Sequence, residues 1–181
     1  MDIVTEAVTA TASTGMVIVL PKEYPLIVLA CALICAVCFL TGFMISLPRF
    51  TIFSKDFMKQ FQEEHVSVFP GTVAFTGGDP DGGDGRYAQL LEYKEWVKFN
   101  NAMRVYTNFV EQLPMVLTHL MISGLFLPLI TTVCAFVYVG ARVIYGVMYW
   151  TKGGDARKIG AVMGSLPLYL LSIAAFVMAI I

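Results

Sequence analysis

Four long apolar segments constrain the fold of this chain more strongly than any other feature. They cover residues 24–47, 105–127, 129–150 and 159–181, and few charged side chains lie within them. Each segment is long enough to cross a hydrocarbon core of about 30 Å as a helix. Because backbone polar groups in lipid must be satisfied within each helix, the pattern predicts an all-α fold, an integral membrane four-helix bundle.

The composition also indicates that the chain is surrounded by membrane lipid. Of 181 residues, 57% are hydrophobic and 14% are charged, whereas soluble domains average about 25% charged residues. The length fits a single domain. With a formal net charge of -1, the chain lacks the basic excess of a nucleic-acid binder. Membrane lipid, and no nucleic acid, is therefore the expected partner.

The positions of Lys and Arg predict the orientation in the membrane. Helices are expected at about 24–47, 90–127, 129–151 and 159–181, with a long polar loop at 48–89. Ten of the twelve basic residues lie between residues 49 and 104 or between 152 and 158. By the positive-inside rule, both polar loops then face the cytoplasm. The N-terminal segment 1–23 is expected on the opposite side.

Neither the long loop nor the cysteines predict a metal site. The stretch Gly77–Gly85 holds three aspartates, but their spacing departs from the calcium-binding EF-hand loop and favours a flexible Gly/Asp turn. The four cysteines lie in apolar segments and are interpreted as packing residues; they are Cys31, Cys35, Cys38 and Cys134.

Three phenylalanines at four-residue spacing predict a short helix on the membrane surface; they are Phe53, Phe57 and Phe61.

Two stripes of polar side chains lie within the second and third segments. Helical spacing places each stripe on one face; the stripes are Arg104, Asn108 and Glu111, and Arg142, Tyr145 and Tyr149. Charged groups in membrane spans usually face a bundle interior or a wet cavity. One interpretation is a simple ion pair between Glu111 and Arg142. Six polar groups on two facing stripes favour a ligand site instead.

The chemistry of the stripes indicates an anionic, peptide-like ligand. Arg guanidinium groups bind carboxylates through two parallel hydrogen bonds. A buried Glu suits an ammonium group, and Asn and Tyr suit amides. Glutathione carries all of these groups. A proton pathway that includes His119 is a third alternative, although a single His in a span is usually just hydrogen-bonded.

Two stretches of sequence resemble a known family. Residues 104–114, RVYTNFVEQLP, and residues 140–151, GARVIYGVMYWT, are similar to the second-helix and third-helix motifs of the membrane-associated proteins in eicosanoid and glutathione metabolism, the MAPEG family. The resemblance covers residues 21–181 except the long loop. It implies a homotrimer of four-helix subunits that binds glutathione between neighbouring subunits at the cytosolic side.

Site residues can be carried over from the resemblance by position. It implies a set of glutathione contacts, namely Arg104, Tyr106, Asn108, Glu111, Arg142, Tyr145 and Tyr149. Arg157 lies within about one position of the family's thiol-activating Arg, which implies a catalytic pair of Arg157 and Tyr149. Arg49, at the end of the first helix, is a further expected glutathione contact and the competing cation for the thiol. A cation beside the thiol lowers its pKa and produces the reactive thiolate.

The resemblance leaves two classes of function open. It implies a glutathione-dependent transferase or peroxidase that acts on lipophilic electrophiles, with glutathione as co-substrate and no metal. The alternative is a non-catalytic structural or lipid-binding subunit of a larger membrane complex. The sequence departs from the family at Gln112, where the family commonly has Tyr. The intact set of Arg104, Asn108, Glu111 and Tyr149 favours the enzyme, whereas the single Arg49 in place of a basic cluster and the enlarged loop favour the alternative. The endoplasmic reticulum membrane is the expected location, and a mitochondrial membrane is the alternative.

Overall fold

The computed structural model describes residues 19–180. It contains α1 (Tyr24–Ile52), α2 (Lys55–Met58), α3 (Gln62–Val68), α4 (Tyr93–Phe126), α5 (Pro128–Lys152) and α6 (Lys158–Ile180). Short 3-10 turns and loops make up the rest of residues 19–180, which contain no strand. Helices α1, α4, α5 and α6 are long and apolar enough to cross a membrane. The predicted all-α fold with four long apolar helices is confirmed, whereas the predictions for residues 1–18 lie outside the described residues.

Two helix bounds differ from the expected ones. Helix α1 continues through Pro48 to Ile52. The helical hydrogen bonds persist after Pro48, since the Phe53 amide still donates to the Arg49 carbonyl oxygen at 2.9 Å. Helix α4 begins at Tyr93, after Glu92 in an extended conformation. With 34 residues, α4 is about 51 Å long at 1.5 Å per residue. It therefore exceeds a hydrocarbon core of about 30 Å by about 20 Å.

The core of the bundle lies where α1, α4 and α5 meet. Its fully buried side chains include Ile27, Ile34, Phe109, Leu120 and Tyr138. The outer faces of the long helices carry large exposed apolar side chains, among them Phe39, Phe43, Leu129, Ile173 and Phe176. A water-soluble monomer rarely exposes apolar patches of this extent. The outer surface therefore suits lipid.

Small residues on α6 bring it close to α5. A Cβ atom added to Gly160 would lie 2.6 Å from the backbone nitrogen of Tyr145, and one added to Gly164 would lie 3.3 Å from the Cβ of Ala141. Such contacts let two membrane helices pack backbone to backbone. Gly160 therefore fixes the distance between α6 and the part of α5 that carries Tyr145.

The polar loop folds into a second, smaller core beside the end of α1. Its buried side chains include Phe53, Met58, Phe61, Ala88 and Phe99. The rings of Phe53 and Phe99 meet edge to face at 5.0 Å. Phe53 and Phe61 are buried against protein, so the prediction that these phenylalanines lie on the membrane surface is wrong. Aromatic residues at four-residue spacing are typical both of a helix on a membrane surface and of a helix packed against protein. Here the start of α4 contributes Phe99, a contact that the local sequence does not indicate.

One carboxylate organises the Gly/Asp-rich turn. Asp81 is 5% exposed, and its side chain accepts hydrogen bonds from the amides of Gly83 at 2.8 Å, Gly85 at 3.0 Å and Ala88 at 2.7 Å. The segment is a turn, as expected, but these bonds correct the expectation that it is flexible. Within residues 19–180, no group of His, Cys, Asp or Glu side chains has metal-binding geometry.

We expect Gly160→Ala to destabilise the bundle by about 1–3 kcal/mol, the range for overpacking a close contact. Its methyl group would meet the backbone of Tyr145, which cannot move without shifting α5. Thermal unfolding in detergent measures the effect. Gly140→Ala is the matched control, because no atom lies within 4 Å of the added Cβ and Ala favours a helix. Equal melting temperatures for the two variants would contradict the close α5–α6 contact.

Candidate functional site

A buried guanidinium lies at the centre of the candidate site. Arg142 of α5 is 4% exposed, and its Nη1 donates to Oδ1 of Asn108 on α4 at 3.0 Å. Its Cζ atom lies 4.1 Å from the ring centroid of Phe109 and 4.6 Å from that of Tyr145. The cation is thus held between two aromatic rings, an arrangement that stabilises charge away from water.

The hydrogen-bonding capacity of this centre is only partly used. Nε and Nη2 of Arg142 and the hydroxyl of Tyr145 are buried and have no hydrogen-bond partner within the described residues. A buried polar group without a partner costs about 1–3 kcal/mol, and more when the group is charged. Such groups call for an additional partner, and an anion with hydrogen-bond acceptors supplies it.

A cavity of about 330 Å³ adjoins this centre between α4, α5 and α6. We call it the polar cavity, and its lining includes Asn108, Gln112, Arg142, Tyr145, Arg157 and Ser165. Three helices contribute polar side chains to one space within a membrane-spanning bundle. The polar cavity is therefore a concave site with converging polar groups, the usual form of a small-molecule site.

Tyr149 and Arg157 extend the site toward the α5–α6 loop. The rings of Tyr145 and Tyr149 meet edge to face at 5.7 Å, and the Cζ of Arg157 lies 5.2 Å from the ring centroid of Tyr149. The neighbouring Lys158 also lines the polar cavity, but its Nζ pairs with Asp155 at 3.0 Å. That hydrogen bond lowers the pKa of the Asp155 carboxyl. Lys158 thus shares its charge with an acid of the same loop.

Arg104 and Glu111 lie outside the polar cavity, on an exposed face of α4. Among residues 19–180, no ion pair joins Glu111 to Arg142. The two predicted stripes therefore contact each other through the hydrogen bond between Asn108 and Arg142, and not through Glu111. Tyr106 faces α1, where a Cβ added to Gly42 would lie 2.8 Å from its ring.

The loop holds the guanidinium of Arg49. Nη1 donates to the Gly77 carbonyl oxygen and to Oδ1 of Asp79, both at 3.1 Å, and Nη2 donates to the Asp81 carbonyl oxygen at 2.8 Å. Its Cζ also lies 5.1 Å from the ring centroid of Phe99. Arg49 therefore binds the Gly/Asp turn to the end of α1. Its partners lie 28 to 32 residues away in the sequence, so helical spacing could not predict these contacts.

Tyr138 and Ser165 also line the polar cavity, although neither belongs to the two polar stripes predicted from the sequence. The hydroxyl of Tyr138 donates to Oε1 of Gln112 at 3.4 Å, so Gln112 has a partner on α5. Tyr138 precedes Arg142 by four residues and continues the same helical stripe. Helical periodicity could therefore have predicted Tyr138 as a site residue. The position of Ser165 in the polar cavity depends on how α6 packs, which periodicity does not indicate.

Comparison with known proteins gives one finding on the family. The MAPEG family model matches residues 27–177, a range that contains α4 and α5 entirely and all of α1 and α6 except the start of α1 and the end of α6. A comparison with curated proteins gives no match.

We expect Asp81→Ala to open the Gly/Asp turn without unfolding the bundle. A hydrogen bond to a charged group contributes about 1.5–3 kcal/mol, so losing this carboxylate raises the open fraction by about ten- to a hundredfold. Limited proteolysis of the loop in the detergent-purified protein measures that fraction. Asp84→Ala is the control, since Asp84 is exposed in the same turn; equal cleavage rates for both variants would contradict the role of Asp81.

Proposed function

Because the chain belongs to the MAPEG family, we propose that it binds glutathione and transfers the thiolate to lipophilic electrophiles, or uses it to reduce lipid peroxides. The observation that carries this proposal is the buried Arg142 guanidinium in the wall of the polar cavity. Family membership suggests glutathione-related or eicosanoid metabolism, and the chemistry of the polar cavity supports the glutathione-dependent form.

Arg142 suits a glutathione carboxylate. Two guanidinium nitrogens, Nε and Nη2, have no partner among the described residues, and this pair of donors matches the two oxygens of a carboxylate. Asn108 already holds Nη1 at 3.0 Å, which keeps the fork in one orientation. The hydroxyl of Tyr145 is a further donor for the same ligand.

Arg157 is the cation best placed to stabilise the thiolate. It lines the polar cavity and stacks near Tyr149, whereas Arg49 is bound by the loop and Lys158 by Asp155. Arg keeps its charge at any working pH, so it supplies fixed electrostatic stabilisation of the sulfur anion. In the transfer, the sulfur forms a bond to the electrophilic carbon, and the displaced or opened group takes up the charge.

A homotrimer would complete the site. Arg104 and Glu111 face outward from α4 within or next to a membrane span, where exposure to lipid is costly. A neighbouring subunit can cover them and convert their face into the second wall of the glutathione site. Glu111 would then bind the ligand ammonium, and Arg104 the second carboxylate.

The finer assignment within the family is a microsomal glutathione transferase of type 3. Its support is the sequence RKIGAVMGS at residues 157–165 and PKEY at residues 21–24. The corresponding location is the endoplasmic reticulum membrane, with the two polar loops in the cytoplasm, and a mitochondrial membrane is the alternative. These assignments follow from sequence resemblance and from the distribution of Lys and Arg.

A non-catalytic subunit of a larger membrane complex is the second candidate. The observation that favours it is the loop, whose folded core binds Arg49 and is separate from the core of the bundle. Gln112, which accepts a hydrogen bond from Tyr138 at 3.4 Å, also replaces a Tyr of the family motif. Glutathione binding and thiolate formation distinguish the two candidates.

The proposed assembly predicts a mass of three chains by native mass spectrometry in mild detergent. Glu111→Lys should shift the protein to smaller species, because it replaces an acid by a second cation on the face of α4 that already carries Arg104 and that the neighbouring subunit would cover. Met115→Ala, an exposed neighbour on the same helix, should leave the trimer intact. A wild-type protein that is monomeric under these conditions excludes the shared site.

The proposed chemistry predicts a thiolate signal. Adding glutathione to the purified protein near neutral pH should produce the near-ultraviolet absorbance of a thiolate. Arg157→Ala should abolish this absorbance while glutathione still binds by calorimetry, because Arg142 would hold the carboxylate. Lys158→Ala is the matched control and should retain the signal. Wild-type protein that binds glutathione without a thiolate signal supports the non-catalytic subunit.

A further inference from the structure

The long loop carries an apolar surface that its own core leaves uncovered. We call this surface the loop patch; its side chains are 39–70% exposed and belong to Val66, Val68, Phe69, Val73 and Phe75. They lie within residues 66–78, a stretch without charged residues, although charged residues lie on both sides of it. Clustered apolar side chains at a protein surface usually mark an interaction site.

Aromatic contacts hold the two phenylalanines of the loop patch together. The ring centroid of His65 lies 5.4 Å from that of Phe69 and 6.1 Å from that of Phe75. Nε2 of His65 also lies 2.9 Å from Oγ1 of Thr72. One imidazole therefore contacts residues 69, 72 and 75, and the loop patch is one surface rather than a set of scattered side chains.

The loop patch adjoins the lipid-facing side of α1. Helical spacing places four exposed side chains on one face of that helix; they belong to Phe39, Phe43, Leu47 and Phe50. A Cβ atom added to Gly77 would lie 3.0 Å from the ring of Phe50. The stretch that carries the loop patch thus contacts the last member of this apolar face.

This contact places the loop patch at the edge of the hydrocarbon core. The apolar segment of α1 ends at Leu47, and Phe50 lies about 4.5 Å further along the helix at 1.5 Å per residue. The headgroup region adds about 5–8 Å to each side of a bilayer. Phe75 precedes Gly77 by two residues, and it therefore lies near the depth at which lipid headgroups surround α1.

The backbone of this stretch is also prepared for a place with little water. The amide of Thr72 donates to the Phe69 carbonyl oxygen at 3.3 Å, that of Gly77 to the Phe53 carbonyl oxygen at 2.9 Å, and that of Gly78 to the Phe75 carbonyl oxygen at 3.2 Å.

Two further bonds come from one side chain of α3. The Ala74 amide donates to Oε1 of Gln62 at 2.9 Å, and Nε2 of Gln62 donates to the Thr72 carbonyl oxygen at 3.3 Å. Backbone groups that are paired within the protein lower the cost of placing a segment against lipid.

We propose that the loop patch inserts into the interfacial layer of the bilayer, on the side where α1 ends, so that phospholipid covers it. The lipid-facing side of α1 then continues into the loop without a break through Phe50. Charge-free sequence, exposed Phe and Val side chains and a paired backbone suit this layer. The contact is independent of glutathione binding, and it anchors the loop core to the membrane.

A photoreactive side chain in the full-length protein tests what covers the patch. Phe69→p-benzoylphenylalanine, irradiated in nanodiscs of dioleoylphosphatidylcholine, should gain the mass of one phospholipid, because the excited ketone bonds to nearby acyl C–H groups. The same substitution at Phe43, on the lipid-facing side of α1, is the positive control. At Leu90, which is 59% exposed and lies three residues before α4 begins, the lipid adduct should be lost.

Cleavage of the loop by trypsin in the same nanodiscs gives an independent measurement. Phe69→Ser should raise the cleavage rate about tenfold, as expected when a covered Phe no longer contributes its apolar surface. Leu90→Ser is the matched control and should change the rate little, as is usual for a side chain in water. Val73→Ser, at a residue that is 70% exposed, replaces Phe69→Ser if that variant does not fold.

Three outcomes overturn the proposal. A Phe69 probe that attaches to a second copy of the chain shows that the loop patch is an interface between subunits. A Phe69 probe that gives no more lipid adduct than the Leu90 probe, while the Phe43 probe reacts, shows that the patch faces water. Equal cleavage rates for the serine variants in the patch and at Leu90 exclude a stabilising contact with lipid.

Discussion

The arrangement of the site depends on one buried cation, the guanidinium of Arg142. Aromatic rings from α4 and α5 hold it at 4.1 and 4.6 Å, and Asn108 binds one of its nitrogens. No acid among the described residues pairs with it. A charge of this kind costs free energy unless a partner arrives, and its orientation therefore prepares the polar cavity for an anion.

Close packing makes this arrangement possible. Gly160 allows α6 to touch the backbone of α5 at Tyr145, which brings Arg157 to the same cavity as Arg142. The loop provides a separate core and binds Arg49. Two basic residues that could bind a ligand carboxylate have different partners: Arg49 is bound by the loop, whereas Arg142 is held by a neutral amide and two aromatic rings.

Periodic patterns predicted most of the fold and one side of the site. Hydrophobic length predicted four helices, and helical spacing placed Arg142, Tyr145 and Tyr149 on one buried face of α5. The spacing could not reveal which side of α4 faces the bundle, because Asn108 lines the cavity while Glu111 is exposed. The partners of Arg49 lie 28 to 32 residues away, and their contact depends on how an irregular loop folds. Local sequence carries no signal for such a contact.

Helix α4 is long enough to connect the loop core with the polar cavity. Its first turns pack into the loop core through Phe99, and the same uninterrupted helix presents Asn108 to Arg142 nine residues later. A helix transmits bending and tilting over a few turns without absorbing it in a hinge, and Pro114 lies beyond this stretch. The loop core and the amide of Asn108 are therefore joined by one rigid segment of helix. A shift of the loop core would tilt the amide that orients the buried cation.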